Sequence, residues 1–124
     1  MGACYYRYNR LKECIDIDDF LRTWKEYELD IFNMIVNSKV QILKNEVALL
    51  HHNITDTLIQ INYNKIEIKY EDFSKLVIDY AEAVDKSNEE EIKYSFNEVK
   101  KLIMSEKFKN DKTEFKTPHH ELVT

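Results

Sequence analysis

The chain contains one glycine, Gly2, and one proline, Pro118, so residues 3 to 117 contain neither. Glycine supplies the positive-φ turns, and proline the fixed corners, that strands and tight loops need. A chain that omits both is expected to be built mainly from helices, with its turns left to Asn, Asp and Ser.

Within that limit, 124 residues suffice for one core. Apolar residues make up 44% and charged residues 33%, a balance that suits soluble amphipathic helices and not disorder. The formal net charge of −5 disfavours binding to nucleic acid. It is compatible with a basic protein partner and with ordinary solubility. No apolar run approaches the ~18 residues of a membrane span. The start, Met-Gly-Ala-Cys-Tyr-Tyr-Arg, lacks the apolar stretch of a secretory signal. Cys4 and Cys14 are therefore expected to be reduced thiols in a cytoplasmic protein.

The expected organisation is an N-terminal arm over 1–17, one helical domain over 18–108 and a flexible tail over 109–124. In the arm, residues 5–14 read as a short helix or an extended segment. Asp16, Asp18 and Asp19 make a helix start, by capping and by favouring the positive end of the dipole. The helix they open reads as continuous from about 18 to 52, roughly 50 Å long. Two apolar stripes run along it: Phe20, Trp24, Tyr27, Ile31, Ile35, Ile42 and Leu49, beside Leu21, Phe32, Val36, Val40, Leu43, Val47 and Leu50. Such a length exceeds what a compact domain needs, which leaves surface for a partner.

Residues 58–70 alternate instead: Ile59, Ile61 and Tyr63, then Ile66, Ile68 and Tyr70. A β-hairpin turning at Asn64-Lys65 places all six on one side, with continuous helix as the alternative. Two shorter helices follow. The first opens at Glu71 and Asp72 and carries Phe73, Leu76, Val77, Tyr80 and Val84; Asp85-Lys86 makes the next turn. Ser87 and Glu90 then have capping-box spacing, and the last helix is expected to end near Phe108. The fold expected is thus a small, mainly α bundle built on one long helix. Its core is expected to contain Trp24, Ile31, Ile35, Ile42, Leu49, Phe73, Leu76, Tyr80, Phe96, Val99 and Leu102.

Few residues suggest chemistry. Gly2 is the acceptor that N-myristoylation requires, Cys4 is placed for palmitoylation, and Arg7, Arg10 and Lys12 form a basic group behind them. Tyr6 departs from that motif, which prefers Ser or Thr. His51 and His52 are adjacent on a helix, so their side chains diverge and do not chelate one metal; His119 and His120 lie in the tail. No metal site and no cofactor are expected, and a phosphate-cradling glycine loop has no glycines to form it. Glu89, Glu90 and Glu91 are explained as first-turn residues.

The segment from His52 through Asn53, Leu58 and Ile61 resembles the phosphoacceptor box of sensor histidine kinase dimerisation helices. The family carries an acidic residue where this chain has Asn53. What the resemblance implies is a phosphotransfer module, with His52 as acceptor and no nucleotide-binding part.

With no catalytic constellation in sight, the expected function is a non-enzymatic interaction module: an adaptor or a subunit of a larger assembly. Its partner would be another protein or a second copy of itself. An acylated N-terminus would hold it at the cytoplasmic face of a membrane. Phe20 and Trp24, near the start of the long helix, are the interface candidates. The alternative, of another class, is an acidic inhibitor or immunity-type protein that blocks a basic partner.

Overall fold

The computed structural model describes the backbone of residues 7–115 and the side chains of residues 7–107. Over that range the protein is mainly helical, with α1 at Arg7–Lys12, α2 at Ile17–Val36, α3 at Lys44–Asn62, α4 at Tyr70–Asp85 and α5 at Glu89–Phe115. No strand occurs among the described residues.

The Asp16–Asp19 start is found as expected. The Asp16 carboxylate accepts from the Asp19 amide at 2.9 Å and caps α2. The expected continuous helix over 18–52 is instead two helices, separated at residues 37–43. Ser38 makes the break. Its hydroxyl donates to the Ile35 carbonyl at 2.7 Å and accepts from the Val40 amide at 3.2 Å. Side-chain bonds of this kind offer the backbone an alternative to helical pairing. The larger gain is tertiary: a rod exposes both apolar stripes, whereas a folded-back pair buries them against each other.

This break also changes which residues of α3 face inward. Val47, Leu50, His51, Ile54, Leu58 and Ile61 are buried at helical spacing. Leu49, expected in the core by extending the α2 stripe, is 60% exposed. Trp24, Ile31, Ile35, Phe73, Tyr80, Phe96 and Val99 are buried as expected, and Ile42, Leu76 and Leu102 are partly buried against them.

The hairpin expected over 58–70 is not formed. Leu58 and Ile61 belong to the buried face of α3, which continues to Asn62, and Tyr63 is exposed. Asn64-Lys65 is a turn, but it ends a helix. Asn64 has φ 56°, the Asn64 amide donates to the Ile61 carbonyl, and the Lys65 amide reaches the Gln60 carbonyl at 2.9 Å. That is a Schellman closure, which usually places glycine at the positive-φ residue. The α4–α5 turn repeats it: Ser87 has φ 54° and the Asn88 amide donates to the Ala83 carbonyl at 3.1 Å. Because Ser87 ends α4, it does not cap α5 as its spacing with Glu90 suggested. Asn88 does so, its side chain accepting from the Glu91 amide at 3.1 Å.

The helices α2 and α3 form one antiparallel pair and α4 and α5 another; α2 against α4 joins the pairs. The α4 helix is the shared wall, touching α1, α2, α3 and α5. Residues 7–12, within the expected arm, form α1 packed on α4 and α2, with Leu11 and Tyr8 buried. Asp85, whose side chain is fully buried at the C-terminal end of α4, accepts from the Tyr8 amide at 3.1 Å and the Arg7 Nη1 at 3.2 Å. A carboxylate is unfavourable at that end of a helix dipole, and this pairing offsets it. The α5 backbone stays helical to Phe115, past the expected end near Phe108 and into the expected tail. Residues 116–124 lie outside the described residues.

Ser87 holds a left-handed conformation that costs an L-residue about 1–2 kcal/mol, against about 0.5–1 kcal/mol of entropy for introducing glycine. Ser87→Gly is therefore expected to stabilise the fold by about 0.5–1 kcal/mol, read as a higher urea midpoint with unchanged slope.

Candidate functional site

Two features of the α3 region stand out: a buried polar tie on its inner side and an apolar surface on its outer side. The tie centres on His51, which is 2% exposed. Its Nδ1 lies 2.9 Å from the Glu28 Oε2 on α2, and its Nε2 lies 2.6 Å from the Tyr80 hydroxyl on α4. Ionised Glu28 only accepts, so Nδ1–H donates to it; Nε2 then accepts the Tyr80 O–H. Burial raises the Tyr80 pKa well above its ordinary value, which keeps that proton on the hydroxyl. Trp24, Phe32 and Tyr80 each meet the imidazole edge to face, with centroids 5.2, 6.0 and 5.5 Å away. Trp24 Nε1 donates to the Thr55 hydroxyl at 2.8 Å, which in turn donates to the His51 carbonyl at 3.2 Å.

Chemically this is a clamp. Both ring nitrogens are occupied, and the nitrogen opposite the carboxylate is held by the buried Tyr80 hydroxyl. From sequence, His51 stands out only as the neighbour of His52 with a diverging side chain, and this role is not visible. The available signal was position: His51 lies one residue after buried Leu50 and three before buried Ile54, on the inner face of α3.

On the outer side, Leu29, Leu43, Leu49 and Met104 are 61%, 69%, 60% and 55% exposed. Leu29 and Ala48 line an open cleft of about 370 Å³ between α2 and α3, together with Phe32, His52 and Thr55, and Glu28 and His51 of the polar tie form part of its wall. Leu49 and Met104 line a narrow seam of about 70 Å³ between α3 and α5, whose floor is Leu50, Phe96 and Ile103. The α3–α5 contact is slight beside the close packing within each helix pair. A third cleft, about 310 Å³ between α4 and α5, is lined by Asp79, Glu82, Glu91 and Glu98. Three of these acids already pair with lysines: Asp79 with Lys75, Glu82 with Lys86 and Glu98 with Lys101.

The residues singled out from sequence fall elsewhere. Gly2 and Cys4 lie outside the described residues, as do His119 and His120. Arg7 is drawn to Asp85 and lies 3.6 Å from Asp30; Arg10 pairs with Glu13 at 3.9 Å; the Lys12 ammonium sits over the Tyr8 ring. Phe20 and Trp24 are fully buried, so neither is the surface contact that its place near a helix start suggested. An aromatic at a helix start is exposed only if nothing packs there, and Tyr70 at the start of α4 covers Phe20, edge to face at 5.8 Å. Burial raises the Cys14 pKa, and its thiol donates to the Thr23 hydroxyl, so it stays protonated. No group of three or more potential metal ligands occurs among the described residues. Among the described residues, no helix is long and apolar enough to cross a membrane.

Compared with protein-family models, curated proteins and solved structures, the chain shows no match.

Burial lowers the His51 pKa below its ordinary 6.5, and the nearby Glu28 carboxylate only partly opposes this. The unfolded chain then takes up a proton below pH 6.5 that the folded protein refuses. Stability is full above that pH and falls as pH drops through 6.5 toward the depressed folded value. Urea midpoints are expected to fall between pH 7.5 and pH 5.5. In His51→Gln, less stable at every pH, that slope is expected to flatten.

Proposed function

We propose that the protein is a non-enzymatic, helical protein-interaction module, an adaptor or subunit that docks through the outer face of α3. The supporting observation is the gathering of Leu29, Leu43, Leu49 and Met104 around that helix while the core beneath is filled. Large apolar side chains clustered on a surface mark interaction sites, whereas scattered ones do not. The two clefts flanking α3 supply the grooves into which the side chains of a partner helix fit.

The acidic-inhibitor reading draws less support, because most of the carboxylates in the α4–α5 cleft are paired within the molecule. The proposed setting is cytoplasmic, with membrane tethering through acylated Gly2 and Cys4 as an addition that intact-mass measurement on protein from its own host decides.

A photo-crosslinking aromatic residue in place of Leu49, introduced in that host, is expected to form a discrete protein adduct. The same group in place of exposed Lys75 on α4 is expected to form none. Leu49→Asp, at a site too exposed to disturb folding, is expected to weaken partner capture at least ~10-fold. If position 49 yields no adduct, the reading fails.

A further inference from the structure

The seam between α3 and α5 has lips of opposite charge. Glu46 lies on the α3 lip and Lys100 on the α5 lip, both exposed, with Leu49 and Met104 beside them. Neither Glu46 nor Lys100 makes an ion pair with another described residue.

Direction matters as well. Phe20 meets Tyr70 near the starts of α2 and α4, and Glu28 and Tyr80 meet through His51 further along both, so these helices run the same way. Since α3 and α5 are antiparallel to them, α3 and α5 also run parallel to one another. Lys107 on α5 donates to Asn53 on α3 at 3.5 Å, each about two turns beyond Lys100 and Glu46 respectively, so the two lips advance in step.

A two-fold axis laid along the seam therefore sets α3 of one copy over α5 of the other. Under that operation Glu46 of each copy faces Lys100 of its mate, and Leu49 of each faces Met104 of its mate. We propose that this seam is a homodimer interface, with Glu46–Lys100 pairs flanking a Leu49–Met104 centre. The inference rests on the interaction-module reading and names a second copy as the partner.

Charge favours a second copy over a foreign chain. The protein carries a net charge of −5 and repels itself over most of its surface. The seam is different: its charged lips are Glu46, Lys100 and Lys107, with no net negative charge. A strongly basic partner would oppose the lysines and a strongly acidic one would oppose Glu46. A copy satisfies both lips. The area is also adequate. α3 spans 19 residues, or about 28 Å, and a face two helices wide is roughly 600 Å² before corrugation, near the ~800 Å² per partner of a standard interface.

The test is sedimentation equilibrium on the full chain with two charge reversals. Wild type is expected to show a mass twice 14.9 kDa in the micromolar range. Glu46→Lys places like charges across both lips, and so does Lys100→Glu; each alone is expected to raise the dimer dissociation constant at least ~10-fold. An equimolar mixture of the two variants is expected to restore the dimer, because every cross-copy pair is again opposite in sign. Both sites are exposed, so circular dichroism should match wild type, and thermal midpoints should match at concentrations low enough that all three proteins are monomeric, which excludes misfolding. A mass of 14.9 kDa up to millimolar concentration overturns the proposal, as does a dimer indifferent to both reversals or a mixture that fails to reassociate. A monomer that still forms an adduct with a different protein at position 49 overturns the dimer alone and leaves the module reading standing.

Discussion

The contact of His51 with Glu28 and Tyr80 fixes three helices at one point, and the rest of the packing depends on their register. A buried imidazole with an unpaired nitrogen costs about 1–3 kcal/mol, so α2, α3 and α4 must align closely enough to satisfy both. Apolar burial sets how much surface is removed from water but tolerates sliding. Two hydrogen bonds of 2.9 and 2.6 Å do not. The edge-on contacts with Trp24 and Phe32, and the Trp24–Thr55 bond, extend the same constraint along α2 and α3.

A second constraint comes from the missing glycines. Two of the helices close through residues at positive φ, and Asn64 and Ser87 fill positions where glycine is usual. Asparagine tolerates the left-handed region with help from its side chain; serine does so less well. The strain at Ser87 is held because both flanking helices are packed: Val84 on one side and Ile92 on the other are buried. Turn chemistry and core packing are thus coupled at the α4–α5 junction.

The packing is uneven around the molecule, and that unevenness defines its surface. Most of the buried aromatic mass, Phe20, Trp24, Phe73 and Tyr80, lies along α2 and α4. On the far side α3 and α5 meet only slightly, and Leu29, Leu43, Leu49 and Met104 are exposed on or beside α3, while Ile15 and Tyr94 are exposed elsewhere. The fold contributes rigidity there: α3 is anchored from within by His51, so its outer face is held in one shape. A pre-organised face loses less entropy on docking than a mobile one.

Much of the fold was legible in the sequence. The want of glycine and proline called for helices, the Asp16–Asp19 cluster marked the start of α2, and helical spacing picked out Phe73, Tyr80, Phe96 and Val99 as core. These are local signals, set by backbone freedom and by the 3.6-residue period. The break at residues 37–43 was not legible, because apolar spacing runs on through Val36, Val40 and Leu43 as though the helix did. Nor was the continuation of α3 through Ile61, where period-two alternation and helical spacing coincide over a few residues. Leu49 was assigned inward and lies outward; Phe20 and Trp24 were considered for the surface and lie within. Each of these turns on which helix packs against which, a matter of free energy summed over residues distant in the chain. The role of His51 belongs to the same class. Its partners are 23 residues before it and 29 after it, and only the packed arrangement of α2, α3 and α4 brings them to its two nitrogens.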